Sequence, residues 1–504
     1  MSQENTESNN PKIGHDEWVA QVASRQAQAY PLMRWWHALP GYGQWLMGLL
    51  GLALFLLVPI ITANPLLLAS FNLSNNNFIL LTLNRFLIFA MLAIGLNVVV
   101  GYAGLLDLGY VAFYGLAGYF YAYLASNFVT AFSPNGIHLP SLVVIILIVA
   151  GVSLIGYLLG ALSLRLSGDY LAIVTLGFGQ VFTLLALSAT RIYLPGRDRA
   201  VDFTRGPNGI NGLDPLNFFG LSLNENWHYF YFFSLMLLLI YIMVYRINHS
   251  RIGRAWRAIR DDELAAEVMG TPTGRLKLLA FALGAGIAAF AGVLDAAWQS
   301  NVVPVPRYSV FTLINLYAMI VLGGIGSLPG AVIGAFIFTL LPEILRSVAL
   351  ASVIFYGLSL WGLYIFSGSW RRFGRLLAFG ILFGFVLKGL LLLLNVARAD
   401  LASSSALNSL IQSWLFIAEP YKVLGNVLTI VGILLVLALV IWRKHQTFSD
   451  ILAVLGLYAL AFAWETRLGL EPAATRILIV GLSLVLLMIF RPQGLLGKAE
   501  VRVV

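Results

Sequence analysis

GRAWRAIRDDELAAEVMGTPTGRLK, residues 253–277, concentrates charge in a chain where only 11% of residues are charged. Apolar runs at 229–247 and 276–298 frame it, each close to the roughly 20 residues that cross a bilayer hydrocarbon core of about 30 Å. Such runs recur outward in both directions. We count 14, at 45–63, 79–100, 105–125, 140–163, 171–190, 229–247, 276–298, 309–325, 328–349, 352–367, 376–396, 422–442, 449–465 and 474–490. With 60% hydrophobic residues the chain departs far from a soluble composition. It reads as an all-α, polytopic transmembrane protein. Several runs are short or rich in glycine, which fits re-entrant or broken helices buried in protein.

Charge distribution sets the orientation. Placing the N-terminus in the cytoplasm and alternating the runs puts 19 of the 31 Lys and Arg inside and 10 outside, with Arg85 and Lys388 within spans. The inside groups are compact: Arg246 to Lys277, WRRFGR at 370–375, RKH at 443–445 and the C-terminal tail. This positive-inside bias makes 248–277 a cytoplasmic loop and both termini cytoplasmic. The net charge of +9 is thereby explained by membrane topology rather than by nucleic acid. The first 44 residues, polar and mixed, read as a soluble tail.

Several chemistries are excluded. There is no cysteine, hence no disulfide or thiolate chemistry. No G-x-x-x-x-G-K-S/T loop is present to cradle nucleotide phosphates, and no H-E-x-x-H or Ser/His/Asp grouping stands out, so neither catalytic residues nor a metal site is expected. GAGIAA at 284–289 fits a dinucleotide fingerprint only in letters. It sits inside an apolar run, where small residues let helices approach closely.

Within the charged stretch, Arg254, Arg257 and Asp261 recur at helical spacing. Glu263 and Glu267 are four apart with Ala265 and Ala266 between them, and Gly270 followed by Pro272 is a helix stop. The pattern predicts a short surface helix, small on one face and charged on the other. Two readings stand: an ordinary positive-inside loop, or a helix that docks into a groove of a cytoplasmic partner through its alanine face.

ELAAEVMG resembles the EAA-type loop of bacterial ABC-transporter permeases. GLNVVVGYAGLLDLGYVAFYGLAGY (95–119), SGDYLAIVTLGFGQ (167–180) with TRGPNGI (204–210), LGGIGSLPGAVIGAFIFTLLPEILR (322–346) and MIFRPQGLLG (488–497) resemble, in order, the M-type permease of branched-chain amino-acid uptake systems. The resemblance covers about 79–350 and 474–498. It implies a subunit of an ATP-driven importer of neutral or branched-chain amino acids in the bacterial cytoplasmic membrane. Its partners would be a second, H-type permease, two ATP-binding subunits that use the ATP, and an extracytoplasmic binding protein. The chain itself would carry no cofactor. The loop would be the coupling helix, with Arg254, Arg257, Glu263, Ala265, Ala266, Glu267 and Gly270 as coupling residues.

The expected organisation is a tail (1–44), a permease core (45–350), two inserted membrane hairpins (351–473), and a last span with its cytoplasmic tail (474–504). The insert separates segments that the family joins closely. Gln180 stands where LGFGE would have Glu, and Arg205 where TGGPNGI would have Gly. A urea or short-amide permease is therefore an alternative of the same architecture. A stand-alone secondary transporter or channel would need charge pairs or inverted repeats in the spans. Asp107, Tyr110, Gly177, Gly179 and Gln180 are the candidate substrate path. Asp107 has a second reading as a helix cap, and Gly177 and Gly179 read either as a helix break or as close packing. Lys388 reads as snorkelling or as pairing with a neighbouring subunit.

Overall fold

The computed structural model describes residues 76–129, 136–163, 169–190, 202–218, 220–346, 348–397, 406–417, 421–441 and 446–470, with scattered positions at 51–60, 192, 419, 481 and 494–496. The expected tail at 1–44 lies outside the described residues. The first and last spans are described only at scattered positions. The chain divides into two compact units, Met1–Leu80 and Leu81–Val504.

The apolar runs become helices. α1 (Asn76–Leu96) continues into a π turn at Asn97–Tyr102. After an irregular stretch come α2 (Tyr110–Leu124), α3 (Ser141–Ser163), α4 (Asp169–Ser188), α5 (Asn226–His249), α6 (Arg251–Asp261), α7 (Glu263–Val268) and α8 (Thr273–Gln299). α9 (Val310–Gly323), α10 (Leu328–Ile344), α11 (Val348–Ser367), α12 (Trp370–Leu393), α13 (Ala406–Trp414), α14 (Tyr421–Ile441) and α15 (Gln446–Leu470) follow. Among the described residues seven helices are long and apolar enough to cross a membrane, and four shorter apolar ones accompany them. The fold is a polytopic helical bundle. α2 and α9 span 15 and 14 residues, a rise of about 21–23 Å, less than the hydrocarbon core. The interruption at 97–109, buried in the bundle except at Gly104 and Leu106, is a broken helix of the expected kind.

Burial sorts the helices. The segment Phe78–Tyr102 and α8 are 72% buried along their most apolar windows, against 22% for α3 and α5 and 17% for α12. α8 is thus central, packed along α2 and α3. Gly284 explains one approach: a Cβ there would lie 2.4 Å from Val99 and 3.4 Å from the Gly95 carbonyl. GAGIAA is therefore a packing stripe, as read from the sequence. The exposed apolar side chains of α3, such as Ile146, Leu154 and Leu158, suit a surface facing lipid or another subunit.

Among the described residues, three two-stranded antiparallel ladders form the far end of the bundle: β1 (Ala125–Ser126) with β2 (Ile137–His138), β3 (Ile210–Asn211) with β6 (Asn301–Val302), and β4 (Asn217–Phe218) with β5 (Leu221–Ser222). Since α8 runs from the charged loop at Thr273 to β6 beyond Gln299, the loop and the ladders lie about 40 Å apart along it.

α12–α15 pack on one another and on α11. They have cores of their own, Leu415, Ile417, Tyr458, Ala461 and Phe462 in one, Leu363, Leu376 and Ala453 in another. Trp464 reaches back to Leu345 and stacks on Phe355 at 4.1 Å. Lys388, read as snorkelling or intersubunit pairing, donates to the Ser413 carbonyl within the chain.

Candidate functional site: a charged loop rooted in the bundle

The charged stretch folds as two helices rather than one. α6 starts at Ser250, whose hydroxyl accepts the Ile252 N–H at 3.2 Å. Gly253, Trp256 and Ile259, at i, i+3 and i+6, face inward, and Trp256 is fully buried with its indole N–H on the Leu276 carbonyl at 2.8 Å. Arg254 and Arg257 face outward, and Arg257 donates to Asn248 Oδ1 at 2.8 Å. Asp262 then turns extended, with φ −157°, and its carboxylate accepts the Ala265 N–H at 3.0 Å to cap α7. α7 stops where Gly270 adopts φ +80°, donating to the Glu267 carbonyl at 2.9 Å, while Thr271 N–H bonds the Ala266 carbonyl at 3.0 Å. The predicted stop signal is thus met. Glu263 pairs with Lys277 at the base of α8. Glu267 is exposed.

The face that α7 offers corrects the sequence expectation. Ala266 is turned inward and buried, and Ala265 is exposed. Leu264, Val268 and Met269 are 75%, 86% and 85% exposed. Leu264 and Val268 share a face at i, i+4, with Met269 at the tip, so the outward surface is an apolar knob rather than an alanine groove-filler. The sequence signal was present in ELAAEVM. Its sense needed the direction in which Ala266 packs.

Arg260, not among the predicted residues, roots the loop. Its Nη1 donates to the Gly101 carbonyl at 2.5 Å. A Cβ on Gly104 (φ +70°) would lie 2.9 Å from Arg260 Cγ, and one on Gly326 (φ +82°) 2.7 Å from its Nη1, so the side chain runs through a slot that glycines leave open. Asn97 joins the same place. Its Oδ1 accepts the Gly326 N–H at 2.8 Å, and its amide donates to the Ser327 carbonyl at 3.3 Å. From the C-terminal motif, Leu495 and Leu496 donate to the carbonyls of Leu322 and Gly323 at 2.8 Å each. The segments 95–119 and 322–346, the described part of the C-terminal motif at 494–496, and the charged loop therefore converge.

The candidate path residues separate. Asp107 is buried, and its Oδ1 accepts the Gly109 N–H at 2.9 Å; Gly109 itself is the N-cap of α2 and no side chain caps the helix, so Asp107 closes a local turn ahead of α2 rather than capping it. Its Oδ2 has no hydrogen-bond partner. Tyr110 is fully buried, with its hydroxyl on the Leu92 carbonyl at 3.0 Å. α4 is continuous through Gly177 and Gly179, so the helix-break reading is set aside. Close packing does not require these glycines either, since a Cβ on Gly179 would sit at ordinary contact distance, 3.5 Å from Gly109 Cα, and one on Gly177 would meet nothing within 4 Å. Gly179 and Gly109 line a half-open cleft of only about 10 Å³ with Thr183, Tyr308, Ser309 and Leu313. Gly177 and Gln180 lie on the exposed side of α4. Nearer the ladders is a polar cluster that sequence reading missed. Tyr114 donates to Asp295 Oδ2 at 2.5 Å, Gln299 donates to Asp295 Oδ1 at 2.8 Å, and Arg307 stands 3.7 Å from Asp295. Asp295 was legible as a lone carboxylate in an apolar run, the usual mark of such a cluster.

Residues 78–368 match the family described as "Branched-chain amino acid transport system / permease component". The chain is 34% identical over 315 residues to the high-affinity branched-chain amino acid transport system permease protein LivM of Escherichia coli (strain K12), covering 58% of this chain and 68% of that protein. It is 33% identical over 317 residues to LivM of Salmonella typhimurium (strain LT2), with the same coverage. The LivH permease of E. coli is 41% identical over 91 residues, 18% of this chain and 29% of that protein. No solved structure matches.

Proposed function

Because the chain belongs to the branched-chain amino acid transport permease family, we propose that it is one of two different permease subunits of an ATP-driven importer in the bacterial inner membrane, moving branched-chain amino acids inward. Its partners are an H-type permease, two ATP-binding subunits that supply the ATP chemistry, and an extracytoplasmic binding protein. The relatives named for both LivM and LivH support the pairing.

One observation carries the mechanism: the exposed knob of Leu264, Val268 and Met269 stands on α7, whose base is rooted in the bundle through Trp256 and Arg260. An apolar surface of this kind is buried in a partner, and the charge bias turns it to the cytoplasm. The ATP-binding subunit receives the knob in a groove, with Arg254, Arg257 and Glu267 at the rim. Movement of that subunit tilts α7, and α6 passes the displacement to the interrupted helix at 97–109. The substrate passes on the side of this cleft, whose lining by Gly109, Gly179, Thr183 and Tyr308 is largely apolar and has to open to admit it. The described helices α12–α15, beyond the family match, form a peripheral addition to this core.

The test is uptake of radiolabelled leucine by a strain lacking its own system and supplied with this chain and its partners, with isoleucine, valine and urea as competitors. Competition by the branched-chain amino acids and not by urea supports the reading. Competition by urea alone replaces it with the short-amide alternative.

A further inference from the structure

We infer that Arg260 is the positioning residue that transmits movement of α7 to the interruption in α1. This deepens the coupling role proposed above and rests on it.

The π turn at 97–102 creates the need. Ala103 N–H bonds the Val98 carbonyl at 3.2 Å, and Leu105 N–H bonds the Val99 carbonyl at 3.1 Å. In a continuous α-helix the Leu105 amide would serve the Gly101 carbonyl. Here it is diverted, and Arg260 takes its place on Gly101. A buried carbonyl without a donor is costly, so the guanidinium completes the backbone of the interruption from another helix.

The fit is directional. Gly104 and Gly326 leave a slot one side chain wide, and both hold positive φ. Asn97 ties Gly326 to the same turn, so Arg260 touches both the interrupted helix and the α9–α10 corner. On the loop side, Arg260 is three residues from Glu263, the first residue of α7, and α6 is held by Trp256 and Ile259. A tilt of α7 therefore reaches Gly101 through one rigid arm. A guanidinium suits this role because it stays charged and presents its donors in a fixed fork. Arg254 and Arg257, exposed on the same helix, hydrogen-bond instead to the His249 carbonyl and to Asn248 at the end of α5.

The complete complex, with its partner permease, both ATP-binding subunits and the binding protein, is reconstituted in liposomes, and leucine taken up per ATP hydrolysed is measured. Wild type is measured first, and its failure to couple leucine uptake to ATP refutes the proposed function rather than the role of Arg260. In R260A the ratio is expected to fall about tenfold, the scale of one charge-assisted hydrogen bond, while R251A, at an exposed position of the same helix, stays within about twofold. R260K, which keeps the charge on a shorter and less directional group, is expected to fall between. An unchanged ratio in R260A overturns the inference. If R260A does not assemble, R260K decides: an intermediate ratio sustains the role and a wild-type ratio overturns it. Failure of both variants to assemble also overturns it, because Arg260 then serves folding alone.

Discussion

The side-chain oxygen of Asn97 accepts the backbone N–H of Gly326 at 2.8 Å across 229 residues of sequence. The same amide group donates to the Ser327 carbonyl, so one side chain satisfies a donor and an acceptor of the α9–α10 corner. Asn97→Ala removes the Gly326 N–H's partner in a part-buried place, while the Ser327 carbonyl keeps the Ala331 N–H at 3.0 Å. We expect a loss of about 1–3 kcal/mol, read as a lower midpoint of thermal unfolding in detergent. Asn97→Asp keeps the acceptor but not the donor. Equal midpoints for wild type and Asn97→Ala would show that the corner holds without it.

At Gly270 the backbone is left-handed, with φ +80°, and nothing lies within 4 Å of where a Cβ would stand. The cost of a side chain is therefore conformational, not steric. Gly270→Val should lose about 1–2 kcal/mol locally and misplace the end of α7, lowering uptake while the chain still inserts. Gly270→Asn, which tolerates this conformation, should retain most of the uptake. Equal activity of the two variants would contradict the argument.

Two ion pairs, Asp295 with Arg307 near the ladders and Glu343 with Arg346 at the end of α10, differ in environment. Asp295 is nearly inaccessible beside Arg307, whereas Arg346, paired with Glu343 at 3.1 Å, is 63% exposed. Arg307→Ala strands a buried carboxylate and should cost about 3 kcal/mol or more. Arg346→Ala should cost about 0–1 kcal/mol. Thermal unfolding of the two variants in the same detergent compares them, and a larger loss for Arg346→Ala would refute the assignment.

The class of fold was legible because membrane spans announce themselves: every backbone polar group must be satisfied inside the span, so length and apolarity suffice. The end of α7 was legible from Gly270, whose conformation few other residues adopt. The convergence of the family-like segments was not. Asn97 and Gly326, or Arg260 and Gly101, meet through tertiary contacts that no local spacing encodes. Arg260 also sits in a run of charges where a solvated face is the ordinary expectation. The alanine face misled because ELAAEV offers two faces of similar composition, and only the inward packing of Ala266 selects one. The interruption lies at 97–109 rather than at Gly177 and Gly179, since a π turn leaves little mark in an apolar run whereas a helix tolerates paired glycines without breaking.

The knob on α7 supplies the most direct test. The chain contains no cysteine, so a single Val268→Cys places one reactive thiol at its exposed tip. In membranes holding the assembled complex, a short bifunctional reagent should join this thiol to an ATP-binding subunit, with a yield that changes when ATP is supplied. A membrane-impermeant thiol reagent added from outside should not reach it in intact cells. Labelling of residue 268 from outside, or the absence of any cross-link to an ATP-binding subunit in a complex that transports leucine, would contradict the coupling role of this loop.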